Sequence, residues 1–299
     1  EFFSDKIEEF IASLILKKEK IEAIGSHGQT IKHEPNSIPP FSLQIGNPQL
    51  ISNKLGIKTI ANFRDDDIAK GGQGAPLSPI FHKEVFAKEN KKRVIINIGG
   101  ITNISLLGGA KLLGFDTGPG NCLLDIWTKK NKKGNYDNEG NWAKAGTVDQ
   151  DLLDIMMKDN YFSLEPPKST GPDYFNLSWL QDCLMKLKRE IDPRDTQATL
   201  VELTANSLSN SLKRLKIVNE NIYICGGGVH NKFLMSRISF LLGEKCYTTD
   251  KLGLDPDYIE AICFAWLAYK RVNNIKFNMS AITGSNEKVF LGKVYLPTK

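Results

Sequence analysis

The chain has 299 residues, of which 41% are hydrophobic and 24% are charged, and its formal net charge is +5 at pH 7. These values are ordinary for globular proteins and argue against wholesale disorder, while the length suits two domains that each bury a core. No apolar run reaches the ~20 residues that cross a bilayer, so we expect a soluble protein without a membrane partner. The positive charge comes largely from lysine runs without interleaved aromatic residues, so no nucleic-acid partner is expected.

The five cysteines are scattered along the chain and form no C-x-x-C pair. This pattern argues against a disulfide framework and against a structural zinc site. The sequence also shows no secretory signal after Glu1. We therefore expect a protein of the reducing cytoplasm.

In the first part of the chain, two short predicted strands end in polar, glycine-rich loops. An amphipathic helix over about the first 20 residues precedes them. The strand at 21–24 leads into Gly-Ser-His-Gly-Gln-Thr, which contains His27 and Gln29, and the strand at 57–61 leads into Asn-Phe-Arg-Asp-Asp-Asp, which contains Arg64. Ligands of open α/β sheets bind where strands end, so these three side chains are candidates for ligand binding.

From residue 93 onward the pattern is that of a nucleotide-binding α/β domain. Three consecutive strands joined by tight turns predict antiparallel pairing, with Gly108 and Gly109 in the second turn. The predicted elements are strands at 93–98, 103–107, 111–115 and 221–225, and helices at 121–130, 196–215, from 232, and 256–271. We place the domain boundary near Asn90, where a lysine-rich stretch precedes the new sheet.

The run Gly-Phe-Asp-Thr-Gly-Pro-Gly-Asn at 114–121 is the most informative motif, because it places the Asp116 carboxylate at the end of an apolar strand in a glycine-rich turn. Glycines let the backbone approach a ligand, and the following helix would point its amides and dipole at the same spot. Two more glycine clusters, at 97–103 and 224–231, also follow apolar strands. The three loops together predict a triphosphate site, while the absence of the Walker and G-x-G-x-x-G patterns argues against a P-loop or a dinucleotide site.

These motifs resemble, in order and over nearly the whole chain, those of the anhydro-N-acetylmuramic acid kinases. The runs Lys-Ser-Thr-Gly at 168–171, Asp-Thr-Gln-Ala-Thr at 195–199 and Glu-Ala at 260–261 add to the resemblance. It implies an α/β, two-lobed, actin/hexokinase-like (ribonuclease H-like) fold with a central interdomain cleft. The expected lobes are a first, substrate-side lobe at 1–90, a second, nucleotide-binding lobe at 91–275, and a tail at 276–299 that packs back near the lobe interface.

The resemblance also implies the reaction. It is the ATP-dependent hydrolytic ring opening and 6-phosphorylation of 1,6-anhydro-N-acetylmuramic acid to N-acetylmuramic acid 6-phosphate, in peptidoglycan recycling and amino sugar catabolism. The implied cofactors are ATP and Mg²⁺, and the implied assembly is a homodimer. Members of the family normally open with a strand-turn-strand carrying a Gly-Thr-Ser-x-Asp-Gly-type phosphate loop. Because none is present, we expect the first lobe to be N-terminally truncated.

The resemblance suggests a role for each candidate residue. Asp116 is the expected base that takes a proton from the water attacking the anomeric carbon, since a carboxylate with a pKa of roughly 3.9 is ionised at pH 7. The expected nucleotide-binding residues are Gly99, Gly100, Thr117, Gly118, Gly120, Asn121, Gly226, Gly227, Gly228 and Asn231. His27, Gln29, Arg64 and Glu260 are expected on the sugar, with Arg64 pairing with the lactyl carboxylate. Mg²⁺ is expected to be held by phosphate oxygens and water rather than by the protein.

Plainer interpretations remain open at this stage. The loop at 226–228 suits a tight turn capped by Asn231, Arg64 could pair with a neighbouring aspartate, His27 could be structural, and Glu260 could simply face a helix dipole. Asp-Thr-Gly is also an aspartic protease half-site, but no second copy exists. The Gly-Ser-His-Gly run does not fit a nucleophile elbow. A sugar-binding relative without catalysis and a kinase for another sugar also remain.

Overall fold

The computed structural model describes residues 1–14, 18–108, 112–217, 221–243 and 246–298. The α-helices are α1 (Phe2–Ser13), α2 (Pro48–Leu55), α3 (Asp65–Ala69), α4 (Ser78–Phe86), α5 (Asn121–Lys130), α6 (Asn141–Lys144), α7 (Gln150–Met157), α8 (Leu177–Leu187), α9 (Pro193–Arg214), α10 (Lys232–Leu242) and α11 (Ile259–Val272). The strands are β1 (Ile24–Gly25), β2 (Gln29–Glu34), β3 (Phe41–Ile45), β4 (Thr59–Ala61), β5 (Arg93–Ile98), β6 (Ile101–Leu107), β7 (Leu113–Pro119), β8 (Asn221–Cys225), β9 (Cys246–Thr248), β10 (Phe277–Asn278), β11 (Lys288–Val289) and β12 (Lys293–Tyr295). Among these helices, none is long and apolar enough to cross a membrane.

The chain divides into two compact units, and the first comprises Glu1–Leu77 with Glu260–Lys299. Its three-stranded sheet has β4 in the centre, with β1 parallel and β12 antiparallel to it. Helix α11 lies so close to β1 that a Cβ on Gly25 would be 2.4 Å from the Phe264 carbonyl oxygen. Only glycine fits this crossing, which places α11 directly beside the loop that follows β1.

The second unit, Ser78–Ile259, contains a five-stranded sheet in the order β7-β6-β5-β8-β9. Strands β5, β6 and β7 are antiparallel, as predicted, while β8 and β9 run parallel to β5. The centre of β5 is fully buried at Val94, Ile95 and Ile96, as expected for a strand covered on both faces. Helix α9 packs against β7 and is flanked by α5, α6, α7 and α10. This is the mixed α/β sheet expected for a ribonuclease H-like lobe.

Three predicted elements, β5, α5 and β8, have the bounds that the apolar pattern indicated. Strand β7 differs, because it continues to Pro119 instead of ending before the glycine-rich run. The extension is held by pairing with β6, where Ile101 faces Pro119 and Thr102 faces Gly118. Asp116 therefore lies within a strand rather than in a turn. The predicted turn residue Gly109 and the start of that strand at Lys111 fall outside the described residues.

The units divide at Leu77 and Ile259, whereas the sequence placed the boundaries at residues 90 and 275. Helix α4 joins the second unit because it packs on β6, where the Ser78 hydroxyl donates to Asn103 Oδ1 at 3.1 Å. Helix α11 joins the first unit because the ring of Phe264 stacks on His27 at a centroid distance of 4.4 Å. Side-chain packing, rather than the lysine-rich stretch before β5, sets these boundaries.

Candidate functional site

The three glycine loops of the second unit meet at one end of its sheet, as the sequence predicted. The amides of Gly120 and Asn121 donate to the carbonyl oxygens of Gly100 and Gly99, both at 2.8 Å. The third loop follows β8, and a Cβ on Gly226 would be 2.5 Å from Asn97 Oδ1. The backbones of three segments that are distant in sequence therefore pack together at this end of the sheet.

The first two loops use these amides to hold each other together. The Gly120 and Asn121 amides, expected to donate to phosphate, are instead satisfied by carbonyl groups of the β5–β6 turn. Gly120 is required by packing, since a Cβ there would be 2.4 Å from the Gly99 carbonyl oxygen. The buried Thr117 hydroxyl donates to the Thr102 carbonyl at 3.2 Å. The Asn121 side chain lines the pocket described below, while its Nδ2 donates to the Ile98 carbonyl at 3.4 Å.

The loop after β8 contains three glycines with different reasons to be glycine. Gly226 has a φ of +83°, and Gly228 would place a Cβ 2.3 Å from the Ile98 side chain, so backbone conformation and packing require both. Gly227 is different, because a Cβ there would come no closer than 3.9 Å to any neighbour, namely Asn121 Nδ2. Asn231 caps α10 by accepting a hydrogen bond from the Leu234 amide at 2.9 Å. Gly227 is thus the glycine that faces open space.

That open space is a pocket of about 590 Å³ in the second unit. The volume suits a small organic ligand. It is lined by Asn121, Leu124, Asp125, Tyr136, Asp137, Asn138, Glu139, Gly227, Val229, His230, Asn231 and Lys232. Its wall includes the segment between α5 and α6, which carries no glycine-rich motif and was not among the candidate sites. Burial raises the pKa of the Asp125 carboxyl to about 6, against the opposing charge of Lys129.

Asp116 is buried, with 4% of its surface exposed, and lies at an irregularity of the β6–β7 ladder. The register shifts between Thr102 and Asn103, so two residues of one strand face one residue of the other and the local twist changes. The Thr170 amide donates to Asp116 Oδ2 at 3.0 Å, and the Asp116 amide donates to the Lys168 carbonyl at 3.3 Å. The Lys-Ser-Thr-Gly run at 168–171, for which the sequence suggested no chemistry, therefore lies directly against the predicted base.

In the first unit, Arg64 and His27 contact each other directly. Arg64 donates to His27 Nε2 from Nη2 at 2.9 Å, and from Nη1 to the Gly74 carbonyl at 2.7 Å. His27 Nε2 is therefore an acceptor, and Nδ1 donates to the Gly28 carbonyl at 2.9 Å. Burial, together with the Arg64 charge, lowers the pKa of His27 to about 3, so the ring is neutral at pH 7. The same two causes lower the pKa of His33 to about 4.

The loop that supports Arg64 is held by Asp67, a fully buried carboxylate. Asp67 Oδ2 accepts from the Gly74 amide at 2.7 Å, and Oδ1 accepts from the Thr283 hydroxyl at the same distance. Burial raises the pKa of Asp67, while these hydrogen bonds and the Arg64 charge oppose the shift. Two of the aspartates near Arg64 thus have other partners, since Asp65 also pairs with Lys293 at 2.8 Å.

Glu260 and Gln29 are the other two residues expected on the sugar, and both side chains are exposed. Glu260 is exposed in the first turn of α11, one turn before Phe264, whose ring packs on His27. Positions i and i+4 share a helix face, so Glu260 lies on the His27 side of the helix. Gln29 is exposed at the start of β2, two residues after His27. Three of the four predicted sugar residues, His27, Arg64 and Glu260, are therefore brought to one side of the first unit.

The described residues offer no group of three or more His, Cys, Asp or Glu side chains that could hold a metal ion. Two of the three carboxylates that line the pocket make hydrogen bonds or ion pairs: Asp137 accepts from the Trp142 and Ala143 amides, both at 2.9 Å, and Glu139 pairs with Lys232 at 2.6 Å. The donor set therefore does not form a protein cage for a divalent cation.

The sheet order of the second unit and its glycine loops define the class. It is a mixed α/β protein with a ribonuclease H-like unit. A family model described as "Anhydro-N-acetylmuramic acid kinase" matches residues 1–297. The chain therefore belongs to the anhydro-N-acetylmuramic acid kinase family.

Curated relatives agree with this assignment. The anhydro-N-acetylmuramic acid kinase of Pasteurella multocida (strain Pm70) is 47% identical, over 98% of this chain and 78% of that protein. The kinases of Shewanella baltica and Coxiella burnetii (strain Dugway 5J108-111) are 46% and 43% identical, each over 98% of this chain and 79% of the relative. Among solved structures, the activator of the 2-hydroxyisocaproyl-CoA dehydratase from Clostridium difficile with bound ADPNP is 18% identical, with a TM-score of 0.38 over 66% of this chain and 67% of that one.

Proposed function

We propose that this protein uses ATP and water to open the 1,6-anhydro ring of 1,6-anhydro-N-acetylmuramic acid and to phosphorylate O6, giving N-acetylmuramic acid 6-phosphate. The observation that carries the proposal is the family match over residues 1–297, together with curated kinases at 43–47% identity. The reaction would belong to the recycling of peptidoglycan and the catabolism of amino sugars, and its setting would be the cytoplasm.

The nucleotide would bind in the pocket of the second unit. The pocket has the volume for a small ligand, and Gly227 leaves its floor open to a flat ring. Asn121 and Asn231 line the same space. The structural roles of Gly120, Gly226 and Gly228 favour an indirect contribution, because these residues shape the loops that form the pocket.

The sugar would be recognised by the group in the first unit. The planar guanidinium of Arg64 donates to His27 from Nε and Nη2 and to Gly74 from Nη1, so its orientation is fixed before a ligand arrives. A fixed guanidinium suits the lactyl carboxylate of muramic acid, since the two planar groups pair. Gln29, Glu260 and the neutral ring of His27 would supply hydrogen bonds to hydroxyl and acetamido groups.

Asp116 would act as the general base. As the carboxylate takes a proton from water, the water oxygen forms a bond to the anomeric carbon and the bond from that carbon to O6 breaks. The freed O6 then takes the terminal phosphoryl group of ATP, which leaves ADP. The hydrogen bond from Thr170 orients the carboxylate that would receive the proton.

Two further expectations belong to the proposal. Mg²⁺ would accompany the nucleotide through phosphate oxygens and water, because the described residues offer no cluster of ligands for it. The homodimer implied by the family resemblance is retained as part of the proposal.

The test is substrate selection by the purified protein. We expect ADP release with ATP and 1,6-anhydro-N-acetylmuramic acid, accompanied by one equivalent of N-acetylmuramic acid 6-phosphate in the mass spectrum. Glucose and N-acetylglucosamine serve as controls, because both lack the anhydro bridge and the lactyl group. Phosphorylation of either control in place of the anhydro sugar would reject the substrate assignment. Binding of the anhydro sugar without any ADP release would instead favour a sugar-binding relative.

A further inference from the structure

Asp116 is held by three hydrogen bonds that all involve one short stretch of chain. The Tyr161 hydroxyl donates to the Asp116 carbonyl at 2.8 Å, and the Thr170 amide donates to Oδ2 at 3.0 Å. The Asp116 amide in turn donates to the Lys168 carbonyl at 3.3 Å. Backbone and carboxylate are thus fixed by residues 161–170, which lie about fifty positions further along the chain.

The Lys168 ammonium links the two ends of this stretch. Its Nζ donates to the Tyr161 carbonyl at 3.1 Å and lies 4.6 Å from the centroid of the Tyr161 ring. The ring of Phe115, the residue before Asp116, lies 6.0 Å away on β7. The lysine therefore joins the Tyr161 turn to the strand that carries Asp116, by a hydrogen bond and by cation–π contacts.

This position is costly for a charged side chain. Only 5% of the Lys168 surface is exposed, and among the described residues its Nζ has no salt bridge within 4 Å. Burial, reinforced by the Arg214 charge, lowers the pKa of Lys168 to about 8, while Glu165 and Asp116 oppose the shift. An apolar side chain of similar length would avoid this cost, since buried charges are often replaced without loss of stability. Stability alone does not explain a lysine here.

We propose that Lys168 is a positioning residue for Asp116, which it holds, through Tyr161 and the 168–170 backbone, in the orientation that accepts a proton from water. The inference rests on the proposed function, because it assigns Asp116 the role of base. It predicts that the lysine contributes to catalysis and not to stability, so its removal should lower kcat without lowering the midpoint of thermal unfolding.

Lys168→Met is the direct test. We expect kcat to fall by about 10²-fold, because a displacement of about 1 Å in a reacting group can have that effect. KM for ATP and for the anhydro sugar should change less than threefold, and the midpoint of thermal unfolding should stay the same or rise.

In the original protein kcat should also decline as the pH rises through about 8, where Lys168 loses its proton, and this decline should be absent in the variant.

Two further variants make the test specific. Lys186→Met removes an exposed lysine from α8 of the same unit, and should leave kcat, its pH profile and the unfolding midpoint unchanged. Tyr161→Phe removes only the hydroxyl that donates to the Asp116 carbonyl. Because Lys168 and Tyr161 act on the same group, the double variant should lose less than the product of the two single losses.

The proposal is overturned if Lys168→Met keeps the original kcat, or if its unfolding midpoint falls, which would make the lysine a stabilising residue. If Lys168→Met does not fold, the proposal is overturned for the same reason, because the lysine is then needed for stability. Asp116→Asn separates this inference from the proposed function. If Asp116→Asn is inactive and Lys168→Met is normal, only the positioning role fails. If Asp116→Asn keeps full turnover, the assignment of the base itself is wrong.

Discussion

At the scale of single residues, the chemistry of each candidate side chain is set by neighbours that are distant in sequence. Asp116 is oriented by Tyr161 and Thr170, and neutral His27 is an acceptor because Arg64 donates to its Nε2. The motifs made Asp116, His27 and Arg64 candidates, because a polar residue after an apolar strand is a visible pattern. They could not identify Asp125, since burial alone raises the pKa of its carboxyl and burial follows from packing.

Arg64→Lys tests recognition at this scale. A lysine ammonium cannot hold the Gly74 carbonyl and His27 Nε2 in the fork geometry of a guanidinium, so the orientation of the charge is lost. We expect KM for the anhydro sugar to rise about tenfold, an effect of ~1.4 kcal/mol, with KM for ATP unchanged. Steady-state kinetics with each substrate varied in turn provides the measurement.

Arg189→Lys is the matched control for that prediction. Arg189 pairs with Asp149 at 2.7 Å on the surface of the second unit and contacts none of the candidate residues. This variant should keep both KM values. An equal rise in the two KM values for Arg64→Lys would contradict the proposed role, because it would indicate a general loss of folded protein.

At the scale of elements, the glycine loops of the second unit hydrogen-bond to and pack against one another. The sequence predicted that three loops after apolar strands would meet, and they do. It also predicted free amides at the start of α5, but the Gly120 and Asn121 amides donate to carbonyl groups of the β5–β6 turn. The sequence pattern could not show this competition, because it depends on β7 continuing through Pro119 beside β6.

Gly227 and Gly228 are adjacent but are glycine for different reasons: Gly227 leaves space in the pocket, and Gly228 allows close packing against Ile98. Gly227→Ala should fold normally, because the new Cβ has 3.9 Å of clearance, but it should obstruct the pocket and raise the dissociation constant for ATP about tenfold. Gly228→Ala should instead lower the free energy of unfolding by about 1–3 kcal/mol, because its Cβ would overlap the Ile98 side chain. Calorimetric titration with ATP and urea unfolding provide the two measurements. Normal ATP affinity in Gly227→Ala would place the nucleotide elsewhere.

At the scale of the whole molecule, the two units carry different parts of the proposed chemistry. The first contains the Arg64 and His27 group, and the second contains Asp116 and the pocket. The sequence predicted the class of fold, since β5, α5 and β8 have strong apolar patterns and clear ends. The compact units divide at Leu77 and Ile259 rather than at residues 90 and 275, because α4 and α11 are assigned by tertiary packing that no local pattern reveals.

The central claim is that this chain is a kinase whose base is Asp116, and Asp116→Asn tests it most directly. The asparagine keeps the size of the side chain and can accept the Thr170 hydrogen bond, but it cannot take a proton from water. The measurement is the rate of N-acetylmuramic acid 6-phosphate formation from the anhydro sugar and ATP, with ATP affinity determined on the same sample. We predict a loss of ~10³-fold in rate with ATP affinity within about threefold of the original. An unchanged rate of product formation in Asp116→Asn would contradict the account.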